Sequence, residues 1–242
     1  MNLHRLLANS RRVLQQLRHD PRSMALMVFA PVLLLTILKY VYYRQPEVFQ
    51  NVAVSMLGVF PMLVMFLITS VSTLRERTSG TLERLMVSPI SKVEFIGGYA
   101  IAFGFASFIQ AILVSSFAIG PLGLRIQGSQ LALIWVAILD ALLGLAIGLF
   151  VSSFAKTEFQ AIQFLPVVLL PQLLLSGLLV PRSQMPRTLS DLSNALPLSY
   201  AIDATRKVAM GSESIVHDSL VIVAFLFGLL LVGSLTLHRR TR

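Results

Sequence analysis

The chain has 242 residues, of which 55% are hydrophobic and 13% charged, with a formal net charge of +9, no cysteine and a mean hydropathy of +0.77. That hydropathy excludes an ordinary water-soluble domain, and the missing cysteine excludes a disulfide framework and a thiolate metal site while leaving the redox compartment open. The four histidines, His4, His19, His217 and His238, are scattered outside the apolar runs, which argues against a metal or catalytic cluster.

Leu3, Leu6, Leu7, Val13, Leu14 and Leu17 recur at helical spacing, with Arg5, Arg11, Arg12 and Arg18 largely on the other side. Residues 1–20 are expected to form a basic amphipathic helix in the headgroup layer; the alternative is a solvated helix packed on a partner protein. No short apolar core with a small-residue cleavage site occurs there, so the segment reads as mature protein, and Asp20-Pro21 ends the helix.

Six apolar segments follow, at about Met24–Tyr43, Val52–Leu74, Phe95–Ile119, Leu131–Ser153, Ile162–Val180 and Ser219–Leu237. Each is near or above the roughly 18 to 20 residues a helix needs to cross a bilayer. The expected fold is all-α, a single polytopic membrane domain over residues 1–242 with six transmembrane helices. Tyr40, Tyr42 and Tyr43 close the first span as interfacial aromatics do, and Lys39 can snorkel to the same surface.

An even number of spans puts both termini on one side. Of the twenty basic residues, thirteen fall in the amino-terminal segment, the second-to-third connection, the fourth-to-fifth connection and the tail. The positive-inside rule then predicts cytoplasmic termini and a cytoplasmic second-to-third connection in a cell membrane. The net charge is read as an orientation signal, with no nucleic-acid partner expected.

That connection is unusual. Between Arg75 and Glu94 it carries seven charges, Arg75, Glu76, Arg77, Glu83, Arg84, Lys92 and Glu94. After Thr78 or Ser79 as a cap, Leu82, Leu85 and Met86 stand at i, i+3 and i+4, and Pro89 stops the element. A short helix with an apolar ridge is predicted, flanked by Glu76, Arg77, Glu83 and Arg84. It is either a docking element for a cytoplasmic partner or an ordinary amphipathic loop at the membrane surface.

Asp140 is the one acidic residue near a span centre. A charge there costs roughly 2.5 to 3.5 kcal/mol on insertion scales, so it should face protein or water, either as a functional group or as a protonated or hydrogen-bonded packing residue. Gly144 and Gly148 form a small-xxx-small face suited to local helix packing. Pro61, Pro166 and Pro171 can bend or break their spans, and Gln110, Gln163 and Gln172 are further polar points. In the stretch from Pro181 to Asp218, Leu198, Ala201, Ile202, Thr205, Val208 and Ala209 recur at helical spacing, predicting short helices that dip into or lie on the outer leaflet.

The stretch RERTSGTLERLMVSPIS resembles the cytoplasmic loop of ABC-2 type transporter permeases, whose pattern runs roughly E-R-E-x-G-T-L-E-x-L-x-x-[ST]-P. A second stretch, LLPQLLLSGLLVPRSQMPRTLSDLSNALPLSYAIDATRKVAMG from Leu169 to Gly211, resembles that family's fifth span and outer segment, with a P-x-x-x-L-S-G-x-x-[FVY]-P core, then M-P, then P-L-[ST]-Y and an Arg. The subgroup it looks most like is the daunorubicin-resistance type. One departure is Thr78, where the family commonly carries a second acidic residue.

The resemblance implies the transmembrane half of an ATP-driven exporter. It would pair with a second copy or a close relative and dock on two nucleotide-binding subunits. The charged loop, with Arg75, Glu76, Arg77, Gly80, Thr81, Leu82, Glu83, Arg84, Leu85 and Met86, would be the coupling helix in a cleft of the ATPase, and the amino-terminal helix would touch the ATPase too. ATP and Mg would sit on the partner ATPase, with no cofactor on this chain; no glycine here is followed by lysine, so a G-x-x-x-x-G-K-[ST] phosphate loop is absent from the sequence. In the family the second and fifth spans tend to line the dimer interface, which makes Phe60, Met62, Met65, Phe66, Gln163, Leu170 and Leu174, with Asp140, candidates for the path of a small amphipathic or lipid-like substrate. The rivals are a proton-coupled secondary transporter using Asp140, export of a glycan or lipid precursor by the same architecture, and a non-transporting scaffold.

Overall fold

The computed structural model describes residues 2–80, 91–211 and 214–236. Among them the helices are α1 (Leu3–Arg18), α2 (Pro21–Val41), α3 (Pro46–Leu57), α4 (Phe60–Thr78), α5 (Lys92–Ile119), α6 (Gln130–Ser152), α7 (Glu158–Leu175), α8 (Arg187–Asn194), α9 (Pro197–Met210) and α10 (Val216–Thr236), with a 3-10 turn at Arg182–Gln184. Six stretches are long and apolar enough to cross a membrane: Ser23–Val41, Pro46–Thr78, Val93–Ile119, Gln130–Ser152, Glu158–Leu175 and Val216–Gly233. The chain is an all-α, multi-pass membrane protein.

The centre of the bundle is the pair α4 and α6. In each of their spans 72% of the apolar window is buried, against 17% for α2 and α7. In lipid, helices associate through close packing and interhelical hydrogen bonds rather than through water exclusion, so small residues at a crossing matter most. A Cβ on Gly144 would stand 2.2 Å from the Met62 carbonyl oxygen, and one on Gly148 would stand 2.8 Å from that of Phe66. The two glycines therefore let the α4 backbone rest on α6.

The second span differs from its sequence reading. It starts at Pro46 rather than near Val52, and it is two helices meeting at Gly58–Val59. Pro46 is preorganised for a first turn, and Pro61, which lacks an N–H, sits in the first turn of α4, where that donor has no helical partner. At the break a Cβ on Gly58 would lie 2.7 Å from Thr205 Oγ1, so α9 crosses there in contact with the backbone. Pro166 and Pro171 lie within a continuous α7.

The amino-terminal helix exists, but much of its apolar face is covered by its own chain. Leu6, Asn9, Ser10, Val13 and Leu17 are buried, while Leu3 and Leu7 stay exposed. Gly97 and Gly98 of α5 make the seat: a Cβ on Gly98 would come within 2.4 Å of Asn9 Nδ2. In the stretch from Pro181 to Asp218, the α9 stripe of Leu198, Ala201, Ile202, Thr205, Val208 and Ala209 is buried as well. It packs on α3, α6 and α10. The cause is electrostatic as well as apolar: Arg182 pairs with Asp203, and Lys207 Nζ lies 2.9 Å from Asp218 Oδ2, which pins α9 to the 3-10 turn and to α10.

Candidate functional site

Charges in a mostly apolar chain must be paired or wet, and the last turn of α4 shows how. Glu76 points inward. Arg12 Nη1 donates to its Oε1 at 2.5 Å, Gln16 Nε2 donates to the same oxygen at 3.3 Å, and the Tyr99 hydroxyl donates to Oε2. Arg12 in turn donates from Nε and Nη2 to Asn9 Oδ1 at 3.2 and 3.1 Å. Burial alone would lower the pKa of Arg12, but the hydrogen bond and charge of Glu76 outweigh it and hold the guanidinium above its ordinary value.

The neighbours of Glu76 reach other helices. Arg75 makes a two-pronged pair with Glu158 of α7, at 2.7 and 3.0 Å, and lies 3.9 Å from Asp20, which caps α2. Arg77 donates to the Ser152 carbonyl at the end of α6. A single helical turn is thereby bonded to five other helices, α1, α2, α5, α6 and α7, or to their caps. Gln16, Asp20, Ser72, Arg75 and Glu76 line a cavity of about 290 Å³ beside it.

Gly80, at φ +70°, ends the turn, and among the described residues nothing lies within 4 Å of where its Cβ would be. The chain is described again at Ser91, whose hydroxyl accepts from Glu94 N (3.2 Å) while Glu94 Oε2 accepts from Ser91 N (2.9 Å). The second oxygen of Glu94 accepts from Asn2 N at 2.6 Å, so the start of α1 and the start of α5 share one carboxylate. Thr81, Leu82, Glu83, Arg84, Leu85 and Met86, with the short helix expected there, lie outside the described residues.

Phe60, Met62, Met65 and Phe66 are core residues of this chain, each at most 4% exposed. Gln163, Leu170 and Leu174 stand on the exposed face of α7. The structure does not bring the two groups to one surface, because the α4 residues are covered by α6 and its neighbours. Asp140 is fully buried, and its Oδ2 accepts from Met62 N at 3.0 Å, an orphan donor in the first turn of α4. It therefore caps α4 across the helix pair. Asp140→Leu is expected to lower stability by about 2 kcal/mol through the unpaired N–H, and Asp140→Asn by much less, read from thermal unfolding in detergent. Equal losses in both variants would remove the capping role.

Sequence reasoning missed Tyr99, Glu94 and Glu158 as partners. A signal was present: Asn9 and Ser10 interrupt the apolar side of α1, which marks a polar contact on that face.

A family model described as ABC-2 type transporter matches residues 4–210. The chain belongs to the ABC-2 type transporter family. This ABC-2 chain is 28% identical over 161 residues to the probable multidrug ABC transporter permease YbhR of Escherichia coli (strain K12), a match covering 66% of the chain and 44% of that protein. It is 25% identical over 180 residues to ABC transporter G family member 20 of Dictyostelium discoideum, covering 72% of the chain and 25% of that protein. The matched part of the ABC-2 chain spans less than half the length of these relatives.

Proposed function

We propose that this chain is the permease subunit of an ATP-driven exporter for an amphipathic, drug-like or lipid-like compound, worked by separate ATPase subunits through the charged loop 75–94. The observation that carries the reading is the Glu76 cluster: the root of the charged loop is bonded to α1, α5, α6 and α7, so a displacement of that loop is shared by most of the bundle. Family membership and the name of the Escherichia coli relative support export of a small compound. ATP and Mg belong to the partner subunits, and a second copy or a close relative completes the path along the exposed α7 stripe of Gln163, Leu170 and Leu174. Both termini are cytoplasmic in this reading, in line with the thirteen basic residues on that side.

The test uses the loop itself. Leu82→Asp and Glu83→Arg should abolish co-purification of the ATPase and vesicle transport while the permease still inserts. Transport and co-purification that survive both changes would overturn the coupling role. Proton-coupled transport has one observation in its favour, since Asp140 Oδ1 is buried without a hydrogen-bond partner among the described residues. That reading requires transport to follow the proton gradient and to vanish in Asp140→Asn.

A further inference from the structure

The end of the bundle away from Gly80 and Ser91 holds a cavity of about 630 Å³ between the last turn of α2, α3, the 120–129 loop and α9. Its walls are held by specific bonds. Gln50 of α3 grips the Arg125 backbone from both directions, with Nε2 donating to the carbonyl at 2.5 Å and Oε1 accepting from the N–H at 3.0 Å. Lys39 Nζ donates to the Pro121 carbonyl at 3.2 Å, and Gln127 N donates to the Ala209 carbonyl at 2.9 Å. The loop is thereby tied to α2, α3 and α9.

Three cations, Lys39, Arg125 and Arg206, and one carboxylate, the exposed Glu47, line this space. Arg206 is the informative one. Its Nε donates to the buried Ser55 hydroxyl at 2.8 Å, and no carboxylate is paired with it among the described residues. The nearby Asp203 is taken by Arg182, and Asp218 by Lys207. Burial pulls the guanidinium pKa below its ordinary value, with the Asp203 charge opposing. An arginine so placed has both Nη groups without a protein acceptor among the described residues, and its planar fork matches two oxygens of a phosphate.

We propose that this cavity binds a phosphate-type oxyanion carried on the head of an amphiphile, with Arg206, Lys39 and Arg125 supplying the positive charge. Size favours a head over a free ion, because the volume falls in the range that holds whole small ligands. Tyr42 and Tyr43, at the cavity edge beside the end of the first span, are residue types that sit at lipid headgroup level. The site stands apart from the export reading and does not depend on the ATPase.

Native mass spectrometry of the full chain in dodecyl maltoside tests it, with phosphatidylglycerol, the phosphate-free diacylglycerol and inorganic phosphate as probes. The expected result is one retained phosphatidylglycerol per chain, no retained diacylglycerol, and affinity about tenfold weaker in Arg206→Gln. Lys39→Gln, at the rim, keeps the test valid if Arg206→Gln does not fold, and it should weaken binding several-fold. Binding of inorganic phosphate alone, lost in the same variants, would support the oxyanion site with a soluble source. Phosphatidylglycerol binding that both variants leave unchanged, or no binding of either anion, would overturn the proposal.

Discussion

Glu76→Leu is expected to cost about 3 kcal/mol of stability, the low end for breaking a buried ion pair, because Arg12 keeps 26% of its side-chain surface in contact with solvent. The loss has three parts: a half-buried guanidinium without its anion, an orphaned Tyr99 hydroxyl, and a Gln16 amide without its acceptor. Replacing the whole group should recover part of it, since an apolar set of similar volume carries no desolvated charge. The triple variant Arg12→Leu, Glu76→Leu, Tyr99→Phe is therefore expected to melt between Glu76→Leu and the parent, because the Gln16 amide and the buried Asn9 Oδ1 still lose their partners in it. Thermal unfolding of the purified chain in detergent reads both. A mild Glu76→Leu, or a triple variant as poor as the single one, would mean the cluster is not a coupled unit.

Gly144→Ala carries the second large effect. A methyl group there would sit 2.2 Å from the Met62 carbonyl oxygen, a backbone atom that no rotamer change can move. Overpacking a tight contact costs typically 1 to 3 kcal/mol and occasionally more, and a backbone obstacle places this case at about 3 kcal/mol or above. The same change at Gly228, where no described atom lies within 4 Å of the added methyl group, should be neutral or slightly stabilising through helix propensity. Melting temperatures of the two variants side by side decide the matter. If Gly144→Ala melts with the parent, α4 and α6 can slide apart freely and are not the rigid centre of the bundle.

Much of the fold was legible because lipid leaves the backbone so few options. Length and apolarity located all six spans, and the spacing of Gly144 and Gly148 marked a helix crossing. What failed was any inference that needed to know which neighbour covers a face. Met62, Met65 and Phe66 look the same in sequence whether they face a substrate, lipid or another helix, and here the neighbour is α6 with its own core. The α9 stripe likewise fits a leaflet and a protein groove equally well until Asp203 and Asp218 supply partners for Arg182 and Lys207. Glu76 reads in the sequence as one flank of a docking ridge. Its inward direction depends on Tyr99, 23 residues away and on another helix, a pairing no local pattern encodes.

The break at Gly58–Val59 carries a mechanical consequence. Taken as one rod, the 33 residues from Pro46 to Thr78 would measure about 50 Å, well beyond the roughly 30 Å of hydrocarbon. The chain instead divides the length between two short levers with different allegiances: α3 rides with α9, and α4 rides with α6. Across the joint the backbone is closed by three-residue loops, Gly58 N to Ser55 O and Val59 N to Met56 O, which are tighter and less well aligned than helical bonds. The two levers therefore meet at a knuckle rather than in one unbroken ladder of helical bonds, and a rotation of α4 about its own axis does not have to turn α3 with it.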